Sequence, residues 1–176
     1  MTKQNKKGFT IIEVVLVLAI GGLIFLMVFI ALPALQRSQR NTQREDDLAR
    51  VLTAVNDYQT NNSGKTPFED GNVNPNFLKR YVDEETVYDA TKPITTCGDQ
   101  FKDPDGECYQ IEVRGAGKAG DVGKATGLTA FDHTFYVYTN AGCGDLEGTY
   151  NVGTGKRQVA IFFVEEGGAV ACNDNH

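Results

Sequence analysis

The chain has only two histidines, His133 and His176, and four cysteines, no two of them closer than eleven positions. That spacing lacks the paired C-x2–4-C of a structural zinc site. There is no G-x-S-x-G elbow, no P-loop and no glycine fingerprint opening a helix, so no enzyme constellation is expected, nor any cofactor or metal. Basic charge is also short. Seventeen Lys and Arg face 23 Asp and Glu, a formal charge of −6. A domain of that balance is not built to grip nucleic-acid phosphates. Internal repeats and low-complexity tails are absent. Glycine and proline are missing from Ala34 to Asn62, and charge is missing from all nineteen residues between Val14 and Leu32.

The last absence organises the chain. As a helix, nineteen residues cover roughly 28 Å, close to the hydrocarbon thickness of a bilayer. The run therefore reads as a membrane helix. Residues 1–8, MTKQNKKG, carry three lysines and no acid, which places that end on the cytoplasmic side. An ordinary secretory signal would be shorter and would end in small residues, whereas Leu32-Pro33-Ala34-Leu35 offers a poor cleavage site. A simple signal anchor fits the length. It does not account for Gly8 at the polar–apolar boundary or for Glu13 five residues later. An ionised acid in an apolar segment costs a few kcal/mol on insertion scales, so Glu13 marks a function.

KKGFTIIE, residues 6–13, resembles the class III leader junction of type IV prepilins. The resemblance implies a fold and a set of roles. Residues 1–8 become a leader peptide cut by a prepilin peptidase between Gly8 and Phe9. Phe9 becomes the N-methylated first residue and Glu13 the assembly acid at position five of the mature chain. Residues 9–35 become the transmembrane and polymerisation helix, and residues 36–176 a soluble head that includes the second half of the same helix. Removing the leader takes three basic residues and no acid, so the mature formal charge is about −9. The buried amine that cleavage creates and the Glu13 carboxylate are each costly alone, and pairing between neighbouring subunits offsets both.

Gly21, Gly22 and Pro33 interrupt the apolar helix, and the resemblance implies that the segment between them loosens in a filament. Beyond it, Leu48, Val51, Leu52, Val55 and Tyr58 keep an i, i+3, i+4, i+7 spacing. One helix is expected from about Phe9 to Asn62, roughly 80 Å long, its second half packing one face on a sheet. Arg37, Arg40 and Arg44 read as a solvated or interfacial face that meets acids on neighbouring subunits. Asn74-Pro75 opens a short helix to Tyr81, with asparagine as N-cap. Residues 83–107 are acidic loop. Period-two segments at Tyr109–Val113, Thr134–Thr139, Gln158–Glu165 and Ala169–Cys172 give an antiparallel sheet of about four strands. Gly167-Gly168 is expected as a two-residue hairpin turn, and residues 115–127 and 140–157 as glycine-rich loops. The fold class is α+β and type IV pilin-like.

Asp103-Pro104-Asp105-Gly106 invites a calcium reading, and some secretion pseudopilins bind calcium in their heads. An EF-hand register that sets Gly106 at position 6 puts Phe101 at position 1, so the pattern fails and a Pro-Asp-Gly turn is expected. The four cysteines allow three disulfide connectivities. The pairing expected is Cys97–Cys108, closing the acidic loop, with Cys143–Cys172 tying the C-terminus to the sheet. A C-terminal disulfide loop is also a pilin feature. Each would contribute about 3 kcal/mol.

The function implied is that of a structural subunit of a type IV pilus. It enters the inner membrane as a prepilin and polymerises with itself into an extracellular filament on the cell surface, serving adhesion, motility or DNA uptake. The implied partners are the peptidase, a platform membrane protein and an assembly ATPase. The alternatives are a pseudopilin of a type II secretion or competence system, and an uncleaved membrane-anchored adhesin.

Overall fold

A computed structural model describes residues 8–69, 71–89, 91–115, 122–128, 133–153, 155 and 157–175. Residues 1–7 of the expected leader, much of the first glycine-rich loop and His176 lie outside them. The chain divides after Gln39 into two units.

In the first unit, helix α1 (Ile11–Asn61) begins and runs without a break through Gly21, Gly22 and Pro33. Every large apolar side chain from Phe9 to Leu35 is exposed. The helix is long and apolar enough to cross a membrane.

In the second unit, α1 presents Arg44, Leu48, Val51, Ala54, Val55 and Gln59 to the interior at three- and four-residue spacing. It stops where Gly64, at φ +78°, donates its N–H to the Gln59 carbonyl at 2.7 Å, a left-handed C-terminal cap. Strands β1 (Phe68–Glu69) and β2 (Asn72–Val73) pair as a small hairpin. Helix α2 (Pro75–Phe77) follows and continues into a wide turn over Leu78–Val82. The Asn74 side chain accepts from the Asn76 N–H at 3.0 Å, and Pro75 fills the first helical position, as the sequence predicts.

The main sheet has the order β3-β5-β8-β9, formed by β3 (Gln110–Gly115), β5 (Thr134–Thr139), β8 (Val159–Val164) and β9 (Val170–Asp174). β5–β8 and β8–β9 are antiparallel, whereas β3 lies parallel to β5, register Gln110↔Thr134 to Gly115↔Thr139. Parallel neighbours need a long crossover, and the eighteen residues between Gly115 and Thr134 are enough for one. One face of the sheet (Phe135, Val137, Val159, Ile161, Phe163) packs with Leu48, Val51, Ala54 and Val55 of α1.

The other face is covered as well. A second sheet, β4 (Val122–Lys124), β7 (Thr149–Val152) and β6 (Ala141–Cys143) in that order, arises within the segments expected to be glycine-rich loops. Beneath it Tyr136, Tyr138, Ala160, Phe162 and Val164 form a separate core, with Tyr138 and Tyr150 ring centroids 4.6 Å apart. The unbroken apolar run Val159–Val164 follows from this: all six residues are buried, alternately toward the two cores.

The β8–β9 turn is wider than two residues. The last register pair is Val164↔Val170, and the loop 165–169 is closed by Gly168 N–H to Glu165 C=O at 3.0 Å. Gly167 and Gly168 take φ +120° and +91°, values that favour glycine. The added length puts two acids, Glu165 and Glu166, at the turn.

Candidate functional site

The junction predicted for processing lies at the start of α1. Gly8, Phe9 and Thr10 precede the helix and are exposed, Phe9 at 91%. Two residues past Phe9 the helix starts on a reciprocal cap. The Thr10 N–H and O–H both donate to Glu13 Oε2 at 2.8 Å, and the Glu13 N–H donates back to Thr10 Oγ1 at 3.4 Å. This is a capping box, in which Ser or Thr and a Glu three residues on satisfy each other's free amides. Glu13 therefore holds a local partner inside the apolar segment. The Thr-x-x-Glu spacing is the signal in the sequence that carries this role.

A second polar centre lies in the head. The sequence predicts Arg44 on a solvated or interfacial face. It is instead fully buried, and its guanidinium is shared out. Nε donates to Asp103 Oδ2 at 2.6 Å and Nη2 to Asp103 Oδ1 at 2.8 Å, a two-point fork. Nη1 donates to Glu166 Oε1 at 2.8 Å and to Asn41 Oδ1 at 3.2 Å. Arg40 donates to both oxygens of Glu166 at 2.7 Å. These hydrogen bonds to Arg40 and Arg44 hold the Glu166 carboxyl down to about 2. Asp103 is buried, and burial opposes its ionised form. The Arg44 fork outweighs that penalty and leaves its pKa below the usual value. Glu165 is shifted the other way, raised by burial and then by the nearby Glu45. Arg40 and Arg44 thus meet acids of their own chain, delivered by the widened β8–β9 turn and by the 103–106 turn.

The latter is the expected Pro-Asp-Gly turn. Gly106 N–H donates to the Asp103 carbonyl at 2.8 Å, with Gly106 at φ +101°, and Asp105 N–H donates to Asp103 Oδ1 at 3.1 Å. His133, at φ +56° just before β5, brings Nδ1 to 3.5 Å from Asp103 Oδ2 and Nε2 to 3.6 Å from Asp105 Oδ2. Asp103, Asp105 and His133 each place one ligand-capable atom within 4.8 Å of the others. Both Asp103 oxygens already face the Arg44 guanidinium, so a cation there would displace a buried fork.

The cysteines form two disulfides, Cys97–Cys108 and Cys143–Cys172. Gly115-Ala116-Gly117-Lys118-Ala119-Gly120 has the bare spacing of a dinucleotide-binding turn. That turn must open a helix; residues 116–121 lie outside the described residues, and the next described element is strand β4.

Comparison with known proteins adds one result. No curated protein and no solved structure matches the chain. Residues 3–29 match the family model for the prokaryotic N-terminal methylation motif, the class III leader signature of type IV pilins.

Proposed function

We propose that this chain is a filament-forming subunit of the type IV pilus class. On this reading it is inserted as a membrane-anchored prepilin, cut between Gly8 and Phe9 by a prepilin peptidase and methylated on the Phe9 amine. It then polymerises through residues 9–35, driven from a platform membrane protein by a cytosolic ATPase. The head forms the outer surface of an extracellular filament. The observation that carries the reading is the run of exposed apolar side chains from Phe9 to Leu35 behind the methylation motif, with a single acid, Glu13, near its start.

The physical roles divide along the chain. In lipid, helix association rests on packing and polar pairing, because lipid tails compete for apolar surface. A helix apolar on all sides therefore needs a polar contact to set its register. Glu13 supplies one: its Oε2 stays on Thr10, and Oε1 is free to accept from the Phe9 amine of a second copy. Gly21, Gly22 and Pro33 are the positions at which the helix would loosen in a filament.

The test is the yield of filaments sheared from cells that make Glu13→Gln in place of wild type. The expected result is normal membrane insertion with filaments reduced at least tenfold. Wild-type yield from the variant refutes the role of Glu13. The motif is shared with pseudopilins of secretion and competence systems. Absence of surface filaments from wild-type cells, with processing intact, would assign the chain to that group.

A further inference from the structure

We propose that the Cys97–Cys108 disulfide makes the segment 97–109 an oxidation-dependent clasp on α1. Three partners from this short stretch meet three positions on one helix face, within about two turns. The Gln100 carbonyl accepts from Arg50 Nη1 at 2.9 Å. Asp103 forks onto Arg44. The Tyr109 hydroxyl donates to Asp47 Oδ2 at 2.9 Å. Residues 44, 47 and 50 are spaced by three, so they line one side of the helix. Phe101, in the middle of the clasp, is fully buried and packs against Tyr109 and Phe135, which fixes the segment to the main core.

The clasp is mostly irregular chain held by short-range bonds: a three-residue turn of helix at Asp99–Phe101, a bridge between Lys102 and Cys108 flanked by Asp103 N–H to Glu107 C=O at 2.8 Å and Tyr109 N–H to Phe101 C=O at 3.2 Å, and the 103–106 turn. An irregular loop must be held in place against its conformational entropy, and closing its ends reduces that cost. The disulfide closes the loop at its two ends. It thereby presents Asp103 to an arginine with no access to water. If the loop opens, Arg44 stays in the interior without its main counter-ion, and the helix face around it becomes the least stable part of the head.

Formation of the bond couples this to the compartment. The Cys97 and Cys108 thiols lose two electrons and two protons to the disulfide of a thiol–disulfide oxidoreductase, which is left as a dithiol. The helix face is therefore secured only once the chain has met an oxidising compartment. This inference concerns the head alone and stands whether or not the chain forms filaments.

The experiment is amide hydrogen exchange on the full chain in detergent, read as the rate for residues 44–51 relative to that for β5 and β8. In C97S/C108S the ratio should rise about tenfold, and in C143S/C172S it should stay within about twofold of wild type. An unchanged ratio in C97S/C108S overturns the proposal, as does a rise of the same size in C143S/C172S. A C97S/C108S chain that does not fold is replaced by C143S/C172S protein with and without dithiothreitol, in which Cys97–Cys108 is the disulfide left to reduce, read in the same way. Exchange that accelerates equally over helix and sheet then shows a general staple and also overturns the clasp.

Discussion

Replacing Arg44 by alanine should destabilise the head more than any other single change in its polar residues. The side chain is fully buried and, among the described residues, makes four hydrogen bonds, two to Asp103, one to Glu166 and one to Asn41, with Asp105 Oδ2 a further ion-pair partner at 4.0 Å. Glu166 keeps Arg40 when Arg44 is lost. Among the described residues Asp103 keeps Asp105, through its amide and its side chain, and the edge of His133, and it is itself fully shielded from water. The variant therefore leaves a buried carboxylate without its fork. Breaking such a pair on one side costs about 3–5 kcal/mol. For a domain of this size, each kcal/mol moves Tm by roughly 3–4 °C, so the expected fall is ~10–20 °C. Thermal unfolding followed by circular dichroism at neutral pH, in reduced and oxidised samples, measures it. The control is R44M/D103L, which removes both charges and fills the space with apolar atoms. It should lie within about 2 kcal/mol of wild type, because burying the pair costs much of what the pair gains. A fall below about 3 °C for R44A, or an equal fall for R44A and R44M/D103L, would refute the reasoning.

Acid should loosen the same centre. The Glu166 carboxyl is depressed from 4.5 to about 2, and Asp103 also lies below its ordinary value. A depressed folded value contributes stability above the unfolded pKa and loses it as pH falls through the folded one, so the loss runs from about 4.5 toward 2. Asp105 and Glu165, raised by burial, oppose this in the upper part of the window. E166Q should flatten the acid limb of a stability–pH curve, and an unchanged limb would contradict the assignment. Gly98→Ala should cost about 1–3 kcal/mol in denaturant unfolding. A Cβ there would stand 2.5 Å from the Asp83 carboxylate oxygens, which accept from the Glu85 and Gln100 amides. C143S/C172S should lower stability by about 3 kcal/mol in the same assay, from loss of the constraint across a 29-residue separation.

Much of the fold is legible from local patterns. The methylation motif, the apolar run, the amphipathic stripe Leu48–Tyr58 and the Asn74-Pro75 helix start are each carried by adjacent residues, and so are the main-sheet strands. The second sheet is not. Its strands are three or four residues long and two contain glycine, so no period-two signal develops. What recruits them is the back face of β5 and β8, and the one trace in the sequence is the unbroken apolar run Val159–Val164. The parallel pairing of β3 depends on a crossover that local pattern does not encode. Arg44 illustrates a different limit. It occupies the i−4 position of Leu48 on the inward face, but an arginine reads as solvated unless its partners are known. Those partners lie 59 and 122 residues further along the chain. The capping role of Glu13 is legible in the Thr10-x-x-Glu13 spacing, a signal that the charge in an apolar run does not by itself explain.

The central claim is that this chain is processed at its leader junction to release an assembly-competent helix. The most direct measurement is the mass of the N-terminal peptide of protein taken from its native cell. The account predicts a peptide that begins at Phe9 and carries one methyl group on its amine. A peptide that begins at Met1 or Thr2 in the bulk of the mature protein would contradict it, and would leave an uncleaved membrane-anchored head as the working description.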